Sequence, residues 1–181
     1  MSRPPVAAEF QRQRLIRFSD CDPAGIVFYP QYFVMFNGLI EDWVNEGLGL
    51  SYHDLIARQR VGLPTVHLEV DFRAVTRMGE QVTLALAVDR LGSRSIALTQ
   101  TCLGPEGDVR LQMQQVLVTT SLETHRAIEI PVELRRAITS RYASACASST
   151  ASTSIPASAS TSTATSASAS VSESTGRTEV H

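Results

Sequence analysis

Ser19-Asp20-Cys21-Asp22-Pro23-Ala24-Gly25-Ile26-Val27-Phe28-Tyr29-Pro30 stands between a mixed polar and apolar N-terminal segment and the longest helical pattern in the chain. Pro23 biases Asp22 toward extended backbone, and Gly25 permits a sharp change of direction. Pro30 suits the first turn of a helix, where its missing N–H has no intrahelical partner to lose. A carboxylate is therefore held close to a helix N-terminus, the end at which N–H groups favour negative charge. Two readings of Asp20 and Asp22 stand side by side. They cap a tight turn, or one of them is a reactive carboxylate beside donors that polarise a carbonyl oxygen. Asp22, fixed by Pro23, is the candidate for the second role, as nucleophile or as general base on a water. Cys21 is a weaker candidate, because no His is placed in the sequence to activate its thiol.

Working outward, Tyr32, Phe33, Phe36, Leu39, Ile40, Trp43 and Val44 recur at three- and four-residue intervals, with Glu41, Asp42, Asn45 and Glu46 on other faces. That period predicts an amphipathic helix from Gln31 to Glu46, ended by Gly47. Upstream, Gln11 to Phe18 reads as a first strand with Leu15 and Ile16 apolar and Arg12, Arg14 and Arg17 toward solvent. Leu50 to Arg60 is a shorter helical or irregular connector. Val66, Leu68, Val70 and Phe72 then alternate with His67, Glu69 and Asp71, which predicts a strand with one buried face. Val82, Leu84, Leu86 and Val88 repeat the pattern, and Ile96, Leu98 and Cys102 continue it after a Gly92-Ser93 turn. Gly104-Pro105-Glu106-Gly107-Asp108 signals a hairpin into Val109, Leu111 and Met113. After Gln114-Gln115 the apolar phase moves to Val116 and Val118, which predicts a β-bulge. Arg126 to Pro131 reads as extended, and Pro131-Val132-Glu133-Leu134 opens a terminal helix.

One long helix between a first strand and four consecutive antiparallel strands gives an α+β fold, with an antiparallel sheet wrapping its apolar face around the helix. An open sheet of this size has free edges, so pairing through an edge into a homodimer is expected.

The 181 residues carry net charge −2 and are 43% hydrophobic, enough for one sizeable core. That balance favours neither nucleic acid nor an anionic membrane surface as a partner, and no run approaches the roughly 20 apolar residues of a membrane span. Cys21, Cys102 and Cys146 are odd in number and lack Cys-x-x-Cys spacing, which points to a reducing, cytoplasmic setting. His53, His67, His125 and His181 have no ligand spacing, so no metal is expected. G-x-S-x-G, G-x-G-x-x-G, Walker and H-E-x-x-H motifs are missing. From Ala143 to Ser174 the composition collapses to Ala, Ser and Thr, without the branched or aromatic residues that offset chain entropy. The expected organisation is a flexible N-terminus over 1–10, one domain over 11–142 and a disordered tail over 143–181.

Phe18 to Pro30 closely resembles the signature of hotdog-fold acyl-CoA thioesterases, in particular the 4-hydroxybenzoyl-CoA thioesterase group. The similarity extends to Gly62-Leu63-Pro64-Thr65-Val66, Arg94-Ser95 and Arg126-Ala127-Ile128-Glu129-Ile130-Pro131, and so covers about Arg12 to Leu134. The resemblance implies a hotdog fold assembled as dimers and commonly as a homotetramer. It implies Asp22 as the catalytic carboxylate, and Tyr29 as the residue whose backbone N–H binds the thioester carbonyl. It further implies Arg94 and Arg126 as contacts to coenzyme A phosphates, a role suited to guanidinium chemistry. The chain departs from the group at the acyl end, where Asn37 and Leu63, the latter before Pro64, replace an acidic residue and a Thr. Gly92 and Ser93 replace basic residues, which leaves Arg73, Arg77 or Arg90 as substitutes. The implied activity is hydrolysis of an aromatic, hydroxybenzoyl-like acyl-CoA without metal or organic cofactor. Hydrolysis of a short or medium aliphatic acyl-CoA, or binding of acyl-CoA without turnover, are the alternatives.

Overall fold

The computed structural model describes residues 10–141. The tail expected over 143–181 lies outside the described residues, as does the N-terminal segment except Phe10. That residue is not part of a flexible arm but opens β1 (Phe10–Leu15), with its Cα opposite Leu86. The strand ends at Leu15 instead of running to Phe18, because Phe18–Asp20 winds into a 3-10 turn closed by the Asp20 N–H to the Arg17 carbonyl at 3.0 Å.

The remaining elements are α1 (Tyr29–Asp42), α2 (Tyr52–Ala57), β2 (Val61–Gly62), β3 (Thr65–Phe72), β4 (Gln81–Leu91), β5 (Ser95–Leu103), β6 (Val109–Val118), β7 (Thr120–Ser121) and α3 (Val132–Arg141). Five strands form one antiparallel sheet in the order β1-β4-β5-β6-β3. β2 and β7 make a separate two-residue pairing that alternation had not signalled. The architecture is α+β, as the patterns indicated.

α1 begins at Tyr29, with Pro30 in its first turn, and runs on through a π turn, Trp43–Gly47. Tyr32, Met35, Phe36, Leu39, Ile40, Trp43 and Val44 are buried together with Leu84, Leu86, Ile96, Leu98, Leu111 and Met113 of the sheet. Each such side chain contributes roughly 1.5–3 kcal/mol on burial. Gly47 is required for a packing reason. A Cβ there would lie 2.8 Å from the Trp43 ring and 3.0 Å from that of Phe10, so glycine is what lets the first strand close against the end of the helix.

Two patterns read differently in three dimensions. β3 has no buried face: Val66, Leu68 and Phe72 are 60%, 45% and 56% exposed. It is an edge strand, pairing only with β6, and of its apolar residues only Val70 packs against the core, with Phe72 meeting Tyr32 of α1. The phase slip predicted after Gln115 does not occur. Leu111, Met113, Gln115 and Leu117 are buried in an unbroken alternation. Gln115 holds an inward position because its amide is satisfied, accepting from Gln100 and donating to Thr65 at 2.6 Å. The irregularity near this point lies on the opposite strand, between Thr65 and His67.

Candidate functional site

The segment before α1 is a short antiparallel turn. Cys21 bridges Val27, the Asp22 N–H donates to the Ile26 carbonyl at 3.0 Å, and the Gly25 N–H donates to the Asp22 carbonyl at 2.9 Å. Gly25 sits at φ +74°, a left-handed conformation that a side chain disfavours. This is the sharp change of direction that the Pro-Ala-Gly spacing predicts.

The two carboxylates have separate environments. Asp20 is 4% exposed, with one oxygen accepting from the Arg14 guanidinium at 3.1 Å and the other from the Arg17 N–H at 2.9 Å. Its carbonyl accepts the Phe28 N–H at 3.0 Å, so Asp20 fastens both ends of the turn and has no oxygen left for chemistry. Asp22 is half-buried. Its Oδ1 accepts the Ala24 N–H at 2.9 Å, a turn-capping bond. Its Oδ2 has no protein partner among the described residues, so the carboxylate caps the turn and still presents a free oxygen. Cys21, between them, has its thiol pKa raised, first by burial and then by the charges of Asp20 and Asp22. A thiol so placed is a poor thiolate at neutral pH.

The helix start supplies the complementary donor. The Phe28 N–H is used by Asp20, Pro30 has none, and the Gln31 N–H returns to the Phe28 carbonyl at 2.8 Å. The Tyr29 N–H has no acceptor among the described residues. It is the one free donor in the first three positions of a 14-residue helix, at the end where the helix dipole is positive.

Asp22 and Tyr29 line one cavity of about 460 Å³, with Ile26, Val27, Phe28, Tyr32, Phe72 and Thr76 among its walls. The size and apolar lining suit a small organic group with few polar contacts. Phe72 meets Tyr32 edge to face at 6.1 Å between centroids. From the sequence Tyr32 reads as one of the apolar positions of the helix and Phe72 as one of the apolar positions of a strand with one buried face, and Thr76 carries no signal. Arg73 also lines the cavity, and its guanidinium donates to Gln112 at 3.1 Å.

The other expected site residues lie elsewhere. Asn37 is exposed on α1, about two turns beyond Tyr29. Pro64, Arg94 and Arg126 converge on one short run of chain: their carbonyls accept the N–H groups of Val118, Thr119 and Ser121 at 3.0, 2.9 and 3.0 Å. Leu63, half-buried, precedes Pro64. Both arginines are exposed. None of these five residues lines the Asp22 cavity. Among the described residues no cluster of three or more His, Cys, Asp or Glu side chains could hold a metal, and no helix is long and apolar enough to cross a membrane.

With this geometry in view, a family model described as the thioesterase-like superfamily matches residues 16–138. A 1,4-dihydroxy-2-naphthoyl-CoA hydrolase of Synechococcus elongatus is 28% identical over 135 residues, spanning 74% of this chain and 92% of the relative. A 4-hydroxybenzoyl-CoA thioesterase of a Pseudomonas species is 27% identical over 135 residues, spanning 71% and 96%. Among solved structures, a gentisyl-coenzyme A thioesterase superposes with a TM-score of 0.64 at 25% identity, covering 70% of this chain and 99% of that one.

Proposed function

The chain belongs to the thioesterase-like superfamily, with an α+β hotdog fold and thioester hydrolysis as its class of reaction, and on that premise we propose that it hydrolyses an aromatic, hydroxybenzoyl-like acyl-CoA to the free acid and coenzyme A. One observation carries this reading: a carboxylate oxygen of Asp22 and the Tyr29 N–H, both without partners among the described residues, open onto a single largely apolar cavity. The thioester carbonyl accepts from the Tyr29 N–H, and the helix dipole stabilises the oxyanion as it forms. Asp22 attacks the carbonyl carbon itself or takes a proton from the water that does. Collapse of the tetrahedral species breaks the C–S bond. On the general-base route the acid is released directly and protonated Asp22 returns its proton to the departing thiolate. On the nucleophilic route the thiolate takes a proton from solvent and a water then hydrolyses the Asp22–acyl anhydride, which releases the acid and restores the carboxylate.

We assign Arg94 and Arg126 to the coenzyme A phosphates, and Asn37, Leu63 and Pro64 to the acyl side. Pro64, Arg94 and Arg126 gather on residues 118–121 and do not line the Asp22 cavity, and the outer edge of β3, whose Phe72 lines that cavity, is exposed and pairs with no strand among the described residues. A second copy joined along this edge, in a homodimer or homotetramer, would bring an arginine cluster to each cavity. We place the protein in the cytoplasm, in keeping with free thiols at Cys21 and Cys102.

The test is a hydrolysis panel of benzoyl-, 4-hydroxybenzoyl-, phenylacetyl- and straight-chain acyl-CoA, scored by kcat/KM. An aryl-CoA should lead by at least tenfold. Preference for a medium or long straight chain would overturn the aromatic assignment, and saturable binding without hydrolysis would make this an acyl-CoA-binding domain. In the same assay Cys21→Ser should keep turnover within about twofold of wild type, because its raised thiol pKa leaves little thiolate at neutral pH. A collapse of activity would move the nucleophile from Asp22 to Cys21.

A further inference from the structure

Two elements must be held in register for Asp22 and the Tyr29 N–H to act on one carbonyl: the 22–28 turn and the first turn of α1. Chain connection between them is short but passes through Phe28, whose backbone alone does not fix an angle. What the structure adds is a brace on the far side of the cavity. Residues 74–79 grip the turn through two hydrogen bonds that together make one antiparallel bridge. The Val27 N–H donates to the Thr76 carbonyl at 2.9 Å, Ile26 bridges Arg77, and the Met78 N–H donates to the Gly25 carbonyl at 3.2 Å. The same segment is anchored to the sheet. The N–H groups of Arg73 and Ala74 both donate to the Arg110 carbonyl, at 2.9 and 3.1 Å, and the Arg110 guanidinium, held by Asp108, donates to the Val75 carbonyl.

At the centre of this brace the Tyr32 hydroxyl donates to Thr76 Oγ1 at 2.8 Å. Tyr32 stands on α1, three residues past Tyr29, so the bond ties the brace directly to the helix that carries the free N–H. Both residues are buried, at 4% and 1% exposure, and burial raises the Tyr32 pKa. Phe and Val would fill the same space without the desolvation of two hydroxyls, a cost of about 1–3 kcal/mol per group that only a made hydrogen bond offsets. The polar pair is therefore held for its geometry. It occurs in the wall of the cavity that Asp22 and Tyr29 also line.

We propose that Tyr32 and Thr76 are positioning residues whose buried hydroxyl pair locks segment 74–78, and with it the Asp22 turn, to the start of α1, thereby setting the separation of the Asp22 carboxylate from the Tyr29 N–H. The inference rests on the thioesterase reading. A misplacement of about 1 Å between reacting groups can lower a rate by about 10²-fold, so loosening one of several ties should act within that range. The two hydroxyls are engaged with each other, so the loss should fall on kcat far more than on KM.

The experiment compares Tyr32→Phe, Thr76→Val, Thr76→Ser and the Tyr32→Phe/Thr76→Val double variant on the aryl-CoA hydrolysed best by wild type, beside amide hydrogen exchange. Tyr32→Phe and Thr76→Val should each lose about 10-fold to 30-fold in kcat with KM within twofold. Thr76→Ser, which keeps the hydroxyl, should recover most of the loss. The double variant should be no worse than the poorer single one, since both remove the same bond. Exchange at Val27 should accelerate about tenfold while β4 and β5 stay protected, which distinguishes a released turn from general unfolding. Single variants with kcat within twofold of wild type would overturn the proposal, as would a Thr76→Ser no better than Thr76→Val. Failure of the thioesterase reading shows separately, as absence of turnover by the wild-type protein. Val27 exchange then decides alone, and unchanged protection in Tyr32→Phe overturns the lock.

Discussion

Asp22→Asn is expected to reduce kcat by about 10³-fold, with KM and thermal stability close to wild type. The substitution suits the question because Asp22 has two jobs on two oxygens. Its Oδ1 accepts the Ala24 N–H at 2.9 Å, and the amide oxygen of Asn can keep that bond, so the turn survives. What is lost is the charge and basicity of the other oxygen, the one without a partner among the described residues. Asp22→Ala would remove both functions and confuse a mispositioned turn with absent chemistry. Melting temperature and near-UV circular dichroism establish that the Asn variant is folded, and steady-state hydrolysis of the best aryl-CoA reads the effect. If it retained more than a tenth of wild-type kcat, the carboxylate would be a turn cap and nothing more. Asp20→Asn is the informative contrast. Asp20 is enclosed by Arg14 and the Arg17 N–H, so its change should show first as lost stability and only secondarily in turnover.

The elements legible in advance are those whose signal is local. Pro30 at a helix start, the spacing of Phe36, Leu39, Ile40 and Trp43, and glycine at position 25 each follow from the backbone or from a helical period. What stayed hidden depends on partners distant in the chain. Alternation along Val66, Leu68, Val70 and Phe72 shows that one face of β3 is apolar, yet it cannot say whether α1, a ligand or another chain covers it, and in this chain Val66, Leu68 and Phe72 stay exposed. The expected shift of the apolar phase to Val116 and Val118 leaves Gln115 off the buried face. Its inward position depends on Gln100 and Thr65, respectively 15 and 50 residues away. The distinction between the two carboxylates was half visible: Pro23 favoured Asp22, but only the fold shows that Arg14 occupies Asp20. Thr76 is the extreme case. It lies in a connecting segment with no periodicity, and its importance arises from a bond to Tyr32, 44 residues earlier.

Tyr29→Pro is the sharpest probe of the oxyanion site, because it deletes a backbone donor that side-chain substitution cannot reach. Proline is tolerated in the first turn of a helix, and Tyr29 is the first residue of α1. A proline also restricts the residue before it to extended backbone, and Phe28 already stands at φ −65°, ψ 121°. The helix should therefore form unchanged. No neighbour can replace the lost donor: the Phe28 N–H is held by the Asp20 carbonyl, position 30 is already proline, and the Gln31 N–H is returned to Phe28. Removal of an oxyanion donor lowers kcat by about 10²–10³-fold, and that is the loss expected here. Tyr29→Ala supplies the control, since it discards the exposed ring and keeps the N–H; it should stay within about threefold of wild type. If Tyr29→Ala fell as far as Tyr29→Pro, the phenol ring would be the working part. If both remained active while Asp22→Asn was dead, the carbonyl would be polarised by another donor, and the pairing of carboxylate with helix start on which the mechanism rests would fail. Loss in Tyr29→Pro alone, with an unchanged circular dichroism spectrum, would place one amide hydrogen, made solitary by Pro30, at the centre of the rate enhancement.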